Sequence, residues 1–356
     1  MRVQAWVVTE PRAPLVLHER HETPSGGEVV VQVAACGLCH TDLGFYYDAV
    51  PTRHPFPLAL GHEISGTVVE AGSDAESWIG KRVVVPAVIS CGRCAACRSG
   101  RSTICREQVF PGNDVHGGFA THVVVPCAGL CPVPDLDDPR VNPARVELED
   151  LAVIADAVST PYEAIRRSEL SRGDLAVFVG CGGVGGFGAQ LASALGAVVI
   201  AVDLDDARLE LMSRHGAART LRADAGFKEL RRAVRELAEE RSIPTWRRKI
   251  FETSGTTAGQ ATAFGLLDHG GHLAVVGFTP AKLELRLSNL MALDATARGN
   301  WGCPPEHYPA IVDLVLSGKV VLGPFTERRP LSSINETFED VHERRVHRRI
   351  LFIPGS

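Results

Sequence analysis

Residues 176–203 read AVFVGCGGVGGFGAQLASALGAVVIAVD, and they are the clearest guide to the architecture of the chain. An apolar strand leads into a glycine loop, a helical run follows, and a second strand ends at Asp203. Glycines in this context let the backbone approach a pyrophosphate at the N-terminus of a helix. The pattern therefore predicts a dinucleotide site formed by Gly180, Gly182, Gly183, Val184 and Gly185.

The acid at the end of the second strand indicates which dinucleotide is bound. Asp203 can accept hydrogen bonds from the adenine ribose hydroxyls, and its charge would repel a 2′-phosphate. We therefore expect NAD rather than NADP. Arg208 is the nearby cation that could complicate this choice, and we include it among the cofactor-binding residues. Val276, in the predicted strand 272–277, is a further predicted cofactor contact.

The rest of the chain indicates two domains. Strands alternate with helical segments in the second half, which is typical of a parallel sheet with helices on both faces; these strands are 176–180, 198–203, 249–253 and 272–277. The first part has short apolar runs separated by Gly and Pro, which favours a β-rich, barrel-like domain. We predict a catalytic domain at 1–157, a doubly wound nucleotide domain at 158–304, and a tail at 305–356 that returns to the first domain.

Composition excludes several classes of function. The chain has 356 residues and a formal net charge of −5, so it has no general attraction to nucleic acid or to an anionic membrane. Residues 1–14 lack the pattern of a secretion signal, and no apolar run approaches the roughly 18 to 20 residues of a membrane span. We therefore expect a cytoplasmic protein with reduced thiols and a small-molecule substrate.

Four cysteines lie close together in the first domain. Their spacings of two, two and seven residues match the donor set of a closed tetrahedral zinc site. A disulfide framework is disfavoured in a long chain without a secretion signal, and iron–sulfur clusters usually have a different fourth spacing. We predict a structural zinc ion bound by Cys91, Cys94, Cys97 and Cys105. We interpret the other unassigned cysteines as core or loop residues: Cys36, Cys127, Cys131, Cys181 and Cys303.

A second set of donors occurs in CGLCHTD (36–42) and GHE (61–63). At these motifs the sequence resembles the zinc-containing medium-chain alcohol dehydrogenases, and the resemblance covers nearly the whole chain. It implies an α/β fold with a GroES-like β-rich catalytic domain and a Rossmann doubly wound parallel-sheet domain, the substrate cleft lying between them. It also implies a catalytic zinc on Cys39 and His62, with Glu63 as a near or alternating ligand.

The third ligand of this zinc is usually a cysteine in that family. The matching segment here, IADAVSTPYEAI, carries Asp156 instead. Carboxylate oxygen is an acceptable zinc donor and would leave a harder metal centre. We expect Asp156 to be the ligand. The alternative is that Asp156 is an ordinary acid at a helix N-terminus and that Glu63 completes the coordination.

The resemblance assigns further roles around this zinc. Thr41 would hydrogen-bond the reacting oxygen and take its proton, whereas the histidine that carries the proton onward in many members is replaced by Gly44. His40 and Arg348 match residues that touch the cofactor pyrophosphate, although either could be an ordinary surface cation. Two zinc ions and one NAD per chain, in a homodimer or homotetramer, are implied.

The second half of the chain suggests a particular substrate. KIFETSGTTAGQATAFGLL (249–267) and RLSNLMALDATARGNWGCPPEHYP (286–309) resemble the 6-hydroxycyclohex-1-ene-1-carbonyl-CoA dehydrogenases of anaerobic benzoyl-CoA degradation. This implies NAD-dependent oxidation of the ring hydroxyl of an alicyclic acyl-CoA to the 6-oxo compound. Two alternatives remain. One is a zinc dehydrogenase of another secondary, aryl or polyol alcohol; the other is a zinc-free enoyl reductase or NAD-binding sensor.

Overall fold

The computed structural model describes residues 1–355 and separates them into two compact units. Unit 1 contains residues 1–159, 302–318 and 325–355, and unit 2 contains residues 160–301 and 319–324. The sequence analysis placed single boundaries after residues 157 and 304 and did not foresee the short segment 319–324 in unit 2. No helix within residues 1–355 is both long and apolar enough to cross a membrane.

The regular elements are numbered here in chain order. The strands are β1 (Arg2–Val7), β2 (Val16–His21), β3 (Glu28–Gly37), β4 (Glu63–Ala71), β5 (Arg82–Val85), β6 (His122–Pro126), β7 (Cys131–Pro132), β8 (Leu175–Val179), β9 (Val198–Asp203), β10 (Arg219–Arg222), β11 (Arg248–Glu252), β12 (His272–Val275), β13 (Thr296–Gly299), β14 (Thr326–Pro330) and β15 (Arg349–Ile353). The helices are α1 (His40–Tyr47), α2 (Ala95–Arg98), α3 (Ser159–Arg167), α4 (Gly183–Ala194), α5 (Asp206–Arg214), α6 (Phe227–Glu240), α7 (Thr257–Gly265), α8 (Ser288–Leu293), α9 (Tyr308–Leu316) and α10 (Ile334–His342). A 3-10 helix at Asp150–Ala155 precedes α3.

Unit 1 is organised around strand β3, whose valines are fully or almost fully buried. Its main sheet has the order β14-β15-β3-β4-β5-β7, and β6 also pairs with β3. Two register shifts between β3 and β4 disturb the ladder, and irregularities of this kind bend and twist a sheet. The C-terminal strand β15 pairs with the end of β3, with Leu351 opposite Gly37. Strand β15 therefore lies beside the segment that leads into Cys39.

Unit 2 has a six-stranded parallel sheet of order β10-β9-β8-β11-β12-β13. The order reverses direction between β8 and β11, as in doubly wound nucleotide-binding folds. The predicted fold class is therefore confirmed. The four predicted strands correspond to β8, β9, β11 and β12. The sequence analysis missed β10 and β13, because both are short, polar and partly or wholly exposed.

Residues 150–167 form two separate helical segments. The 3-10 helix ends at Ala155, and α3 begins at Ser159. Between them Asp156 adopts a non-helical conformation, with φ −140° and ψ −60°. The Asp156 side chain is thus presented from a turn between two helical segments, and the contacts of that turn set its direction.

Candidate metal centres and nucleotide loop

The four-cysteine cluster lies in the long connection between β5 and β6. The Sγ atom of Cys105 lies 3.5 Å from that of Cys91 and 3.8 Å from that of Cys94, and the Sγ atoms of Cys94 and Cys97 are 3.5 Å apart. Four bonds of about 2.3 Å at tetrahedral angles place sulfurs about 3.8 Å apart. All four cysteines are free, and backbone and side-chain hydrogen bonds from Cys97 lower the pKa of Cys94 to about 7. The residues fit a zinc ion, and four sulfur ligands leave no place for substrate.

The second cluster brings together Cys39, His62, Glu63 and Asp156, whose donor atoms lie within 4.8 Å of one another. Asp156 Oδ2 lies 3.6 Å from Cys39 Sγ and 3.7 Å from His62 Nε2. These separations resemble the edges of a coordination tetrahedron with bonds of about 2.0 to 2.3 Å. The first three residues are buried, and the Asp156 side chain is 18% exposed. A sulfur, an imidazole and a carboxylate therefore converge at a site with one partly open side.

Each of these donors is placed by a different local feature. Cys39 follows β3 and caps the N-terminus of α1, while His62 and Glu63 enter β4 from a tight turn at Gly61. Gly61 has φ +93°, and a Cβ atom there would lie 2.7 Å from both Cys36 Sγ and the Phe119 ring. Any side chain at position 61 would therefore displace the segment that carries His62.

Asp42 supports two of the donors, a role that the sequence analysis did not assign. This fully buried carboxylate accepts hydrogen bonds from the backbone N–H groups of Cys39 (2.9 Å) and Gly61 (3.0 Å). Its Oδ1 also lies 3.4 Å from His62 Nδ1, which leaves Nε2 directed toward Asp156. A carboxylate behind a metal-binding histidine fixes the orientation of the ring and raises its basicity.

The electrostatics of this cluster suit a cation. Burial alone would lower the pKa of His62, but the Asp42 and Asp156 carboxylates outweigh burial and raise that pKa well above its ordinary value. The anionic groups around the buried His62 imidazole thus favour a positive charge at this position. A divalent metal supplies that charge and requires the neutral ring as its ligand. The donor types and their environment therefore fit zinc.

Glu63 is held differently from Asp156. Its Oε1 accepts hydrogen bonds from Arg349 Nη2 (2.5 Å) and from the backbone N–H of Ala157 (3.1 Å). Its Oε2 lies against Gly37, where a Cβ atom would come within 2.0 Å. Burial raises the pKa of Glu63 to about 7, and Arg349 opposes that rise. Glu63 is therefore anchored in a buried ion pair at the edge of the donor cluster.

The arginine in this ion pair is the sequence neighbour of Arg348, which the sequence analysis assigned to the cofactor pyrophosphate. Arg348 is exposed, whereas Arg349 is 7% exposed and also donates a hydrogen bond to the Leu38 carbonyl. Arg349 is the first residue of β15, and Arg348 immediately precedes it. Successive side chains along a strand point to opposite faces. The motif VHRRILF alone does not show which arginine faces inward. His40, the other predicted pyrophosphate contact, is also exposed.

Thr41 and Gly44 lie on α1 beside the metal-binding cluster. Thr41 is partly exposed, and its Oγ1 lies 3.7 Å from Cys39 Sγ, so its hydroxyl reaches the cluster. Gly44 is buried, and a Cβ atom there would make only an ordinary contact with Val50 at 3.7 Å. The backbone therefore does not require glycine at position 44.

The glycine loop joins β8 to α4, and the glycines at 180, 182 and 185 differ in the space around them. Gly180 has φ +93°, and a Cβ atom there would lie 2.5 Å from Ser254 Cα. A Cβ atom on Gly185 would lie 1.9 Å from the Gly180 carbonyl oxygen. At Gly182, by contrast, a Cβ atom would meet only the Arg208 guanidinium, at 3.7 Å. Two glycines are thus needed for packing, and the third leaves open space at the N-terminus of α4, as a pyrophosphate requires.

Asp203 ends β9 beside this loop and is 8% exposed. Its Oδ2 accepts a hydrogen bond from the Cys181 backbone N–H (2.6 Å), and its Oδ1 accepts from the Leu204 and Asp205 N–H groups. Arg208 Nη1 lies 4.0 Å from the same carboxylate. These contacts fix the orientation of the carboxylate at the carboxyl end of the strand.

The sequence analysis also missed Glu252, at the end of β11. This buried carboxylate accepts hydrogen bonds from the Ser254 hydroxyl (2.6 Å) and from the backbone N–H groups of Ser254 and Gly255. The backbone N–H of Val276, a predicted cofactor contact, donates to the Glu252 carbonyl at 2.9 Å. Glu252 therefore links the turns that follow β11 and β12. An acid at the end of a buried strand is the signal that could have identified it.

The fold and the two donor clusters define a zinc-binding dehydrogenase, and comparisons with known proteins agree. The alcohol dehydrogenase GroES-like domain family matches residues 25–135, and the zinc-binding dehydrogenase family matches residues 183–317. An alcohol dehydrogenase of Geobacillus stearothermophilus is 30% identical over 98% of both chains. The L-galactonate-5-dehydrogenase of Escherichia coli (strain K12) is 27% identical over 89% of this chain and 88% of its own length.

A solved structure shows the same architecture. The crystal structure of galactitol-1-phosphate dehydrogenase from Escherichia coli matches 99% of this chain and 100% of its own with a TM-score of 0.85, at 24% identity. At that identity the match supports the fold alone. The two family matches and the Geobacillus stearothermophilus relative show that the chain belongs to the zinc-dependent medium-chain alcohol dehydrogenase family and is an oxidoreductase.

Proposed function

We propose that this enzyme oxidises a secondary alcohol with NAD⁺ at a zinc site formed by Cys39, His62 and Asp156. The observation that carries the proposal is the convergence of these three donors, with Asp156 Oδ2 within 3.7 Å of both partners. When bound, the zinc ion supplies a Lewis acid for the alcohol oxygen, and NAD⁺ accepts the hydride. The Thr41 hydroxyl, whose Oγ1 lies 3.7 Å from Cys39 Sγ, would bind the alcohol and accept its proton while releasing its own proton to solvent, to which Thr41 is partly exposed.

The choice of Asp156 over Glu63 as the third ligand rests on their hydrogen bonds. Glu63 Oε1 is held by Arg349 and by the Ala157 amide, so ligation through this oxygen would have to compete with a buried ion pair. Asp156 Oδ2 lies close to both other donors. Removing one partner of a buried ion pair is strongly destabilising. Glu63 is therefore an outer anchor of the site in this proposal.

The preference for NAD rests on Asp203. Its carboxylate is oriented by backbone N–H groups at the carboxyl end of β9, where the adenine ribose binds in doubly wound folds. A 2′-phosphate placed there would meet this negative charge. Arg208, which lies nearer to Asp205 (3.7 Å) than to Asp203, is partly neutralised by acids and offers little to a phosphate.

We further propose that the substrate is 6-hydroxycyclohex-1-ene-1-carbonyl-CoA, which the enzyme oxidises to the 6-oxo compound. The support is the similarity of residues 249–267 and 286–309 to dehydrogenases of that alicyclic acyl-CoA in aromatic compound degradation. A polyol or sugar-acid alcohol is the second candidate. It is favoured by two relatives, an L-galactonate-5-dehydrogenase and a 2-dehydro-3-deoxy-L-galactonate 5-dehydrogenase.

We also propose that the protein is cytoplasmic and that it self-associates. Strand β13 is at the edge of its sheet, and all four of its residues are exposed. Large exposed apolar side chains precede and follow it in the chain: Phe278, Leu287, Met291 and Trp301. An open edge strand with apolar neighbours is a template for pairing with a second copy. The ten free cysteines are consistent with a reducing compartment.

NADH formation with a panel of substrates tests the proposal. The panel contains 6-hydroxycyclohex-1-ene-1-carbonyl-CoA, a polyol, a sugar acid and simple alcohols, each with and without a zinc chelator. We expect chelator-sensitive turnover of the acyl-CoA far above the others. Turnover of the polyol or sugar acid alone would support a zinc-dependent dehydrogenase but would show that the acyl-CoA is not its substrate. Turnover that is insensitive to complete removal of zinc would reject the metal mechanism and favour a zinc-free reductase.

A further inference from the structure

The carbonyl group of Ala155, immediately before Asp156, is the focus of a buried hydrogen-bond network. Tyr308 Oη donates to this oxygen at 2.6 Å, and the Ala87 backbone N–H donates to it at 3.3 Å. Ser159 Oγ lies 3.1 Å from the same oxygen and 3.2 Å from Tyr308 Oη. Tyr308 and Ser159 are each 1% exposed, and Ala155 is fully buried.

The peptide on the other side of Asp156 is also fixed. The Ala157 N–H donates to Glu63 Oε1, and the Val158 N–H donates to the Val153 carbonyl. Asp156 itself lies outside both neighbouring helical segments, so helical hydrogen bonding does not determine where its side chain points. Its short side chain has only two rotatable bonds. The location of its carboxylate therefore depends on how these two peptides are held.

We propose that Tyr308 is a positioning residue of the catalytic metal site, because its hydroxyl fixes the Ala155 carbonyl and thereby the backbone from which Asp156 presents its carboxylate. This inference rests on the proposed function, in which Asp156 is the third zinc ligand. Tyr308 begins α9, which is brought to unit 1 from a distant part of the sequence. Burial of the phenol keeps its pKa well above the ordinary value, so the hydroxyl remains a hydrogen-bond donor.

Loss of the Tyr308 hydroxyl should affect metal binding more than it affects folding. The buried residues Ile311, Val312 and Val315 remain to pack α9 in a Tyr308→Phe variant. The Ala155 carbonyl would also retain its contacts with Ser159 and Ala87. What is lost is the shortest of the hydrogen bonds that hold the turn. Loss of an outer partner of a metal ligand typically weakens metal binding or activity about 10- to 100-fold.

The test measures zinc affinity on the zinc-loaded full chain by competition with a chelator. Tyr308→Phe should weaken the catalytic zinc about tenfold and leave the four-cysteine zinc unchanged. Cobalt placed in the catalytic site should show an altered visible spectrum. Tyr46→Phe is the matched control, since Tyr46 is 7% exposed in the same unit and its hydroxyl makes no hydrogen bond within residues 1–355. This control should bind both zinc ions like the parent.

The variant Asp156→Asn distinguishes an error in the ligand assignment from an error in the role of Tyr308. If it retains both zinc ions with parental affinity, the ligand assignment is wrong, and the inference falls with it. If it loses the catalytic zinc while Tyr308→Phe binds zinc like the parent, the ligand assignment stands and only the role of Tyr308 is overturned. Should Tyr308→Phe fail to fold, Ser159→Ala removes the other hydroxyl at the Ala155 carbonyl, and parental catalytic-zinc affinity in that variant would likewise overturn the inference.

Discussion

The two metal-binding clusters of unit 1 are built in opposite ways. The four-cysteine cluster draws all its donors from residues 91–105, uses one donor type and is partly exposed. The second cluster, proposed above as the catalytic site, draws its proposed ligands from residues 39, 62 and 156, mixes sulfur, nitrogen and oxygen, and is surrounded by buried acids and an arginine. The first cluster can close a loop around a metal by itself. The second depends on strands and helices from three parts of the chain, and so its chemistry depends on the fold.

The largest expected effect comes from removing the thiolate of the catalytic cluster. Cys39→Ala should lose one of two zinc ions and about 10³-fold or more of activity, because the Lewis acid contributes several kcal/mol. Zinc content and NADH formation measure this. Cys36→Ala, at a nearby buried cysteine without a metal role, should keep both zinc ions. Loss of activity with both zinc ions still bound would show that Cys39 is not a ligand.

The matching change in the other cluster should affect stability instead of chemistry. Cys97→Ala should release the four-cysteine zinc and lower the free energy of unfolding by at least about 3 kcal/mol, since structural zinc contributes directly to folding. Denaturant unfolding checks this. The molecules that remain folded should retain the catalytic zinc and their kcat. A large fall in kcat without a fall in stability would contradict the division of roles.

Arg349 and Arg348 are neighbours in sequence, but only Arg349 belongs to the buried ion pair with Glu63, so their substitutions should differ in their effect on the free energy of unfolding. Arg349→Met leaves Glu63 buried without its partner and should cost about 3 to 5 kcal/mol of unfolding free energy. Arg348→Met, one residue earlier and exposed, should change it by no more than about 0.5 kcal/mol. Urea unfolding of the pair measures both. Equal effects would mean that the Glu63–Arg349 pair is not the anchor described here.

The smallest expected effect concerns unit 2, which holds the nucleotide loop. Asp203→Ala should reduce the preference for NAD over NADP about tenfold in the ratio of kcat/KM values, because the repulsion of a 2′-phosphate is removed. Zinc content should not change. Asp206→Ala, at an exposed acid in the first turn of α5, serves as the control. An unchanged preference in Asp203→Ala would place cofactor selection elsewhere.

The difference between the clusters also explains what the sequence could reveal. Cys91 to Cys105 and the glycine loop are local patterns, so the spacing of the cysteines and the strand, helix and acid around the glycines indicated their chemistry. The supporting residues Asp42, Glu252, Arg349 and Tyr308 act through contacts that only folding creates. Arg348 and Arg349 illustrate the limit, because adjacent arginines look alike in sequence and only the register of β15 against β3 places one of them inside. Likewise, β10 and β13 have no apolar pattern and are defined by their neighbours in the sheet.

X-ray absorption at the zinc edge of the parent protein tests whether one zinc has four sulfur ligands and the other only one. Five thiolates shared by two zinc ions give an average of two and a half sulfur ligands per zinc, with nitrogen and oxygen completing the rest. We predict this average together with two zinc ions per chain. One zinc per chain with four sulfur ligands would contradict it, because the cluster of Cys39, His62 and Asp156 would then hold no zinc.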